Sequence, residues 1–222
     1  MENMLVVPKG SFAAQSDDAA KKRRAELAAK LRTGQSVAIT PTGEVVAPND
    51  PQALHGKTLN APEGKLAFGS AWYEKNPQLF AGEKAAMQEY FPSFHLDKLE
   101  DGRLCWVGNL NPRGSNGGVW SLMVVYDDNH PHNNSYGGSL RVYSIQPDLN
   151  ELYKVAEKLP HVLRDGNNDL YLCTARKEDI NTSQGHASAA TALGWAAKWI
   201  LVVEEWLEGD GIIGEEAFDH IY

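Results

Sequence analysis

Long apolar runs are absent from this sequence, and cysteine is scarce. Of the 222 residues only 2 are cysteine, and the mean hydropathy is −0.41. No stretch reaches the roughly 20 uncharged apolar residues that a membrane-spanning helix requires. The first ten residues hold no basic region ahead of an apolar stretch, so no secretory signal is predicted. Two cysteines cannot form a disulfide framework, which favours a cytoplasmic protein with reduced thiols.

Basic residues are also fewer than acidic ones. The chain has 21 Lys and Arg residues against 29 Asp and Glu residues, a net charge of −8. This balance argues against general affinity for nucleic acid or anionic membranes, so we expect neither as a partner. The basic cluster Lys21-Lys22-Arg23-Arg24 lies in a run of strong helix formers, Ala19–Leu31. It predicts a solvated helix face or a docking surface for an acidic partner protein.

Proline and glycine divide the chain near residue 65. Between Thr40 and Pro62 the sequence holds four prolines and two glycines. This composition predicts a linker with a short hairpin around Thr42-Gly43. We expect residues 1–65 to contain a helix and this linker, partly disordered or docked on a partner, and residues 66–222 to form the folded domain.

Hydrophobic periodicity predicts the elements of that domain. Pro77 suits the first position of a helix that continues to Tyr90, and apolar residues recur at helical spacing from about Ala189 to Leu207. A short extended piece, Asp169–Cys173, lies ahead of the second helix. The three strand candidates are Arg103–Leu110, Val119–Tyr126 and Leu140–Ile145. The order predicts an α+β fold with helices packed on one side of an antiparallel meander.

Cys173 is the first candidate for chemistry, since it ends the extended piece just ahead of Arg176 and Lys177. A nucleophilic cysteine needs partial exposure, surroundings that favour the thiolate, and donors for the oxyanion formed on attack. The two cations favour a thiolate. The amides of Asn167 and Asn168 are candidate donors if the turn folds back. The alternative is a small buried hydrophobe.

Cys105 and the histidines His130 and His132 carry weaker signals. Cys105 lies in the middle of a predicted strand, so structural burial is the expectation. His130-Pro131-His132 has no second close pair of ligands, which favours a polar loop over a metal site. The run Asp165–Asp169 lacks the closing glutamate of a calcium loop and predicts a turn. No metal and no organic cofactor is expected.

Several positions from about Leu66 onward follow a known order. In chain order these are the helix Pro77–Tyr90, the meander, the proline-bearing segment from His130-Pro131 to Gln146-Pro147, His161 ahead of Leu172-Cys173, and the Trp-rich helix through Trp199 and Trp206. This order resembles the ubiquitin-conjugating enzyme fold. It is most similar to the divergent prokaryotic members encoded beside ubiquitin-like proteins and activating enzymes in bacterial conjugation and antiphage operons.

The resemblance implies that Cys173 is an acceptor thiol with a role in antiviral defence. The thiol would receive the C-terminal glycine of a ubiquitin-like protein as a thioester from an activating enzyme. It would then pass that protein to a lysine amine of a target protein. The activating enzyme would use the ATP, so the resemblance implies no cofactor for this chain.

The resemblance also assigns supporting residues around the thiol. In the family a His-Pro-Asn motif precedes the cysteine, and its asparagine supports the oxyanion. Here Val162 and Leu163 follow His161 instead of the Pro-Asn of the motif, and the resemblance implies that His161 is structural or shapes the site. Asn167, Asn168 and Asp169 are the nearest candidates for supporting the oxyanion or the incoming amine.

Two other functions fit the residues. One is a non-catalytic binding module of the same fold that holds a ubiquitin-like protein or another partner, in which Cys173 is incidental. The other is a cysteine hydrolase that uses Cys173 and His186. The hydrolase fits less well, because such nucleophiles usually lie at a helix N-terminus, and Cys173 is predicted to end a strand.

Overall fold

The structure, a computed structural model, describes residues 71–132, 138–155, 159–174, 181–182 and 185–209, together with residues 22, 25–26, 29, 38–39 and 45–46. Residues 22, 25–26 and 29 are helical and exposed, within the helix predicted over Ala19–Leu31. Strands β1 (Ala38–Ile39) and β2 (Val45–Val46) pair antiparallel, which confirms the hairpin predicted around Thr42-Gly43. The domain boundary predicted between residues 65 and 66 lies outside the described residues.

Two helices open the continuous part of the structure, α1 (Trp72–Lys75) and α2 (Pro77–Tyr90). The Asn76 side chain accepts a hydrogen bond from the Leu79 N–H at 3.0 Å, and Pro77 occupies a first-turn position where no N–H is needed. The predicted helix Pro77–Tyr90 is therefore confirmed. Its buried side carries Met87 and, unexpectedly, the carboxyl side chain of Glu83.

The central sheet has four antiparallel strands rather than the three predicted. They are β3 (His95–Lys98), β4 (Leu104–Leu110), β5 (Trp120–Tyr126) and β6 (Leu140–Gln146), in that spatial order. The three predicted strands are confirmed as β4, β5 and β6. The sequence did not predict β3, because it is short, polar and mostly exposed and so carries no hydrophobic period. Pairing with β4 holds it at the edge of the sheet.

Side chains alternate between the two faces of this sheet and form two clusters. The larger cluster, which we call the helix-side core, combines sheet residues such as Trp106 and Val124 with the buried faces of the helices. The smaller cluster, which we call the far-side core, contains Cys105, Met123, Val125, Tyr143, Leu163 and Tyr171. Strand β5 contributes to both clusters.

The C-terminal helix and two hairpins complete the described fold. Helix α3 (Leu149–Val155) follows the sheet, and helix α4 (Ala189–Glu208) packs on β5, β6 and α2. Between them lie the hairpins β7–β8 and β9–β10. Their strands are β7 (Val162–Arg164), β8 (Leu170–Leu172), β9 (Asn181–Thr182) and β10 (Gly185–His186). These elements confirm the α+β class, and no helix among the described residues is long and apolar enough to cross a membrane.

Gly108 of β4 packs closely against Phe94, which lies in the segment before β3. A substitution at Gly108 therefore tests this packing. A Cβ atom there would lie 2.6 Å from the Phe94 ring and 2.9 Å from its Cα. We expect Gly108→Ala to lower the free energy of unfolding by about 1–3 kcal/mol, measured by chemical denaturation. Gly82→Ala in α2 is the control, since a Cβ there meets nothing within 4 Å. It should raise stability by about 0.5–1 kcal/mol, and equal effects of the two variants would contradict the packing.

Candidate functional site

Cys173 directly follows β8, at the open end of the β7–β8 hairpin. Its backbone N–H donates a hydrogen bond to the His161 carbonyl at 3.0 Å, which extends the hairpin pairing by one residue. The side chain is half-buried and packs against the far-side core, which contains Tyr171. The thiol is thus held at a defined place while part of it stays accessible.

His161 lies across the hairpin from Cys173, although the two are twelve positions apart in sequence. The strands pair Val162 with Leu172, so the next position outward places His161 opposite the cysteine. The His161 backbone is left-handed, with φ 50, which is uncommon outside glycine but less so for histidine. Its carbonyl also accepts a hydrogen bond from the Trp199 indole N–H at 3.0 Å.

Asn167, Asn168 and Asp169 lie at the closed end of the same hairpin. Asp165 organises this turn, since its Oδ1 accepts from the N–H groups of Asn167 at 3.0 Å and Asp169 at 2.9 Å. Asn168 has φ 68, as a tight turn requires. The predicted turn is confirmed.

The hairpin geometry separates these three residues from the thiol. Four extended residues at about 3.3 Å each place Asp169 about 13 Å from Cys173, and the two asparagines lie beyond it. Direct support of the oxyanion by Asn167 or Asn168 does not fit this separation. Any indirect role of these residues at Cys173 stays a prediction.

The second cysteine, Cys105, is enclosed in the far-side core, as its position in a strand predicted. Only 2% of its surface is exposed. Burial raises the pKa of the Cys105 thiol to about 11, and the nearby Asp97 carboxylate contributes in the same direction. At neutral pH this thiol is neutral, enclosed and unsuited to nucleophilic attack.

Alkylation of the folded protein provides a direct comparison of the two thiols. At pH 8 about 0.1% of Cys105 is thiolate, and the thiol is enclosed as well. We therefore expect iodoacetamide to modify Cys173 at least about a hundredfold faster, as measured by mass spectrometry of the two peptides. The difference should vanish in denaturant. Similar rates in the folded protein would show that Cys173 is not the more accessible thiol.

A buried polar network that the sequence analysis missed connects α2, the sheet and α4. Glu83 is 4% exposed, and its Oε2 accepts from the Tyr126 hydroxyl at 2.6 Å and from the Ala189 N–H at 2.9 Å. The carboxylate thus lies at the positive N-terminal end of α4. The Tyr126 hydroxyl in turn accepts from the Trp106 indole N–H at 3.0 Å. Burial and the Glu83 carboxylate both raise the pKa of Tyr126, so the phenol stays neutral.

His130 lies in a turn after β5, as the loop interpretation predicted, but its side chain is buried and belongs to this network. The residue is 3% exposed, and its Nδ1 lies 2.8 Å from the Ser139 hydroxyl. Its Nε2 lies 3.7 Å from Glu83 Oε1, and its ring packs against Trp72 and Tyr126. The available signal was the charged Glu83 on the apolar side of a predicted helix, where a carboxylate needs a partner.

His186, the base in the hydrolase alternative, lies in β10, and its side chain is outside the described part of the structure. Arg176 and Lys177, the cations predicted to favour a thiolate, are also outside the described residues. Among the described residues, no group of three or more His, Cys, Asp and Glu side chains is arranged to hold a metal ion. The described part of the site therefore includes Cys173, His161 and the indole of Trp199.

The chain matches a known protein family. A family model described as Type II CBASS E2 protein matches residues 83–217, which is more than half of the chain. The matched span contains Cys105, His161, Cys173 and Trp199. No curated protein and no solved structure matches the chain.

Proposed function

Because the chain belongs to the Type II CBASS E2 family, a bacterial antiphage family of ubiquitin-conjugating-like proteins, we propose that it is a conjugating enzyme that works through Cys173. It accepts a ubiquitin-like protein as a thioester from an activating enzyme and transfers it to a lysine amine of a target protein. We propose further that the domain has the ubiquitin-conjugating fold. The sheet with a helix before it and a long helix after it supports this assignment.

The contrast between the two cysteines carries the assignment to Cys173. An acyl carrier must meet two large partners in turn, so its sulfur needs access from solvent. Cys105 lies within the sheet and is enclosed, whereas Cys173 ends a hairpin and is half-buried. The chain has no other cysteine.

The proposed reaction consists of two acyl transfers. In the first, the Cys173 thiolate attacks the carbonyl carbon of the thioester on the activating enzyme, and the C–S bond to that enzyme breaks as its thiolate leaves. In the second, the target amine attacks the new thioester, and a C–N bond forms as the bond to Cys173 breaks. The amine loses a proton, and the Cys173 thiolate is restored. ATP is consumed earlier, by the activating enzyme.

The surroundings of Cys173 suit a thiol that must be held in a fixed orientation, rather than one whose nucleophilicity must be strongly increased. Exchange between two thioesters is nearly isoenergetic, so the protein contributes mainly orientation and protection from water. The hydrogen bond from the Cys173 N–H to the His161 carbonyl fixes the backbone beneath the sulfur. Packing against the far-side core shields one side of the thiol.

Reconstitution tests this proposal. The protein is mixed with a candidate activating enzyme, its ubiquitin-like protein and ATP, and the products are separated with and without thiol. We expect an ATP-dependent adduct that thiol removes. A stable complex with no adduct would favour the binding module instead. Release of a processed ubiquitin-like protein would favour the hydrolase, and either result would contradict the conjugating function.

A further inference from the structure

The His161 carbonyl connects the C-terminal helix to the Cys173 backbone through two hydrogen bonds. It accepts from the Cys173 N–H and from the Trp199 indole N–H, each at 3.0 Å. We propose that Trp199 is a positioning residue for the thioester chemistry: its N–H fixes the His161 carbonyl, and that carbonyl fixes Cys173. This inference rests on the proposed function, because it concerns how Cys173 meets its partners.

Trp199 is well placed to act as a fixed donor. Its side chain is fully buried in the middle of α4, a helix of 20 residues. Its ring meets Trp120 edge to face, with centroids 5.8 Å apart and an interplanar angle of 87°. Close packing of this kind holds an indole in one rotamer. The N–H therefore presents a single direction to the hairpin.

The acceptor is a backbone segment that needs such support. A carbonyl oxygen has two lone pairs, so the His161 oxygen takes both donors without competition. His161 adopts a left-handed conformation, with φ 50. Uncommon backbone conformations persist where surrounding contacts hold them. The two hydrogen bonds on this carbonyl, one from the helix and one from the cysteine, are contacts of that kind.

The two hydrogen bonds affect the orientation of the Cys173 sulfur during transfer rather than the intrinsic reactivity of the thiol. Attack on a thioester held by another protein requires the sulfur to approach the carbonyl carbon along one path, and small errors in orientation lower such rates strongly. A small reagent in solution approaches from any side and tolerates these errors. Loss of the Trp199 N–H should therefore slow charging and leave alkylation of the same thiol nearly unchanged.

Trp199→Phe tests the inference, because it keeps an aromatic ring and removes the N–H. We expect the rate of thioester formation to fall about tenfold, while alkylation of Cys173 by iodoacetamide stays within about twofold of the wild type. Hydrogen exchange at the Cys173 amide should accelerate about five- to tenfold as the shared carbonyl loosens. Alkylation of the enclosed Cys105 reports any general unfolding of the variant.

Trp206→Phe is the matched control, since it removes another buried indole from the same helix, two turns further on. It should leave the charging rate within about twofold. A second variant replaces Trp199 with benzothienylalanine, in which sulfur occupies the place of the N–H. If Trp199→Phe exposes Cys105 to alkylation, this isosteric variant decides the matter.

The outcomes separate the inference from the proposed function. Charging and amide exchange at wild-type rates in the benzothienylalanine variant would overturn the role of Trp199 while leaving Cys173 as the carrier. Equal slowing by Trp206→Phe would show a general packing effect and would also overturn it. Failure of the wild type to charge would refute the proposed function. Even then, hydrogen exchange at the Cys173 amide would test the inference. If the Trp199 variants exchanged this amide at the wild-type rate, Trp199 would not hold the Cys173 backbone in place.

Discussion

Replacement of Glu83 by alanine is expected to lower the free energy of unfolding by about 3 kcal/mol. The carboxylate is the acceptor for the Tyr126 hydroxyl and for the Ala189 N–H, and both donors are buried. Each buried donor left without an acceptor costs about 1–3 kcal/mol. The N-terminus of α4 also loses the negative charge that complements its dipole.

Chemical denaturation checks this expectation through the midpoint and the slope of the transition. Glu89→Ala is the matched control, because Glu89 lies on the exposed side of the same helix. It should change stability by less than about 0.5 kcal/mol. Glu83→Gln keeps one acceptor oxygen and should lose about half as much as Glu83→Ala. Equal stability of the two alanine variants would show that the buried network contributes nothing.

Replacement of Cys173 by alanine is expected to abolish thioester formation, with a loss of at least about a thousandfold. Alanine offers no nucleophile, and Cys105 cannot substitute because it is enclosed and has a pKa of about 11. Cys173→Ser should give at most a trace of an oxygen ester, since a hydroxyl is a weak nucleophile at neutral pH. That ester should survive the thiol treatment that cleaves the wild-type adduct. Gel separation with and without thiol distinguishes these products.

Cys105→Ala is the control for this substitution, because it removes the other cysteine and leaves the hairpin intact. It should retain at least about half of the wild-type charging rate, after a modest loss of stability from the far-side core. Thermal denaturation of all three variants verifies that each is folded. Persistence of a thiol-sensitive adduct in Cys173→Ala would place the acyl group elsewhere.

The sequence predicted the long periodic elements of the fold and missed the short polar one. Pro77–Tyr90 was predictable because Asn76 and Pro77 form a start signal, and α4 because its apolar residues repeat at helical spacing. Strand β3 has neither signal. Residues His95–Lys98 are mostly exposed, and their strand conformation depends on pairing with β4, a contact that local sequence does not encode.

The candidate site was predictable in its cysteine and not in its surroundings. A turn signal followed by an apolar run placed Cys173 at a strand end, and the hairpin pairing then set His161 opposite it. The same pairing placed Asn167 and Asn168 at the far end, which proximity in sequence could not show. The Trp199 hydrogen bond joins residues 38 positions apart, so only the packing of α4 reveals it.

Mass spectrometry of the charged protein, digested without reductant, determines which residue carries the acyl group. We expect the C-terminal residues of the ubiquitin-like protein to be attached to the peptide that contains Cys173, and mild thiol treatment to release them. Attachment at Cys105, attachment only through a thiol-resistant bond to a lysine, or the absence of any attachment under charging conditions would contradict this expectation.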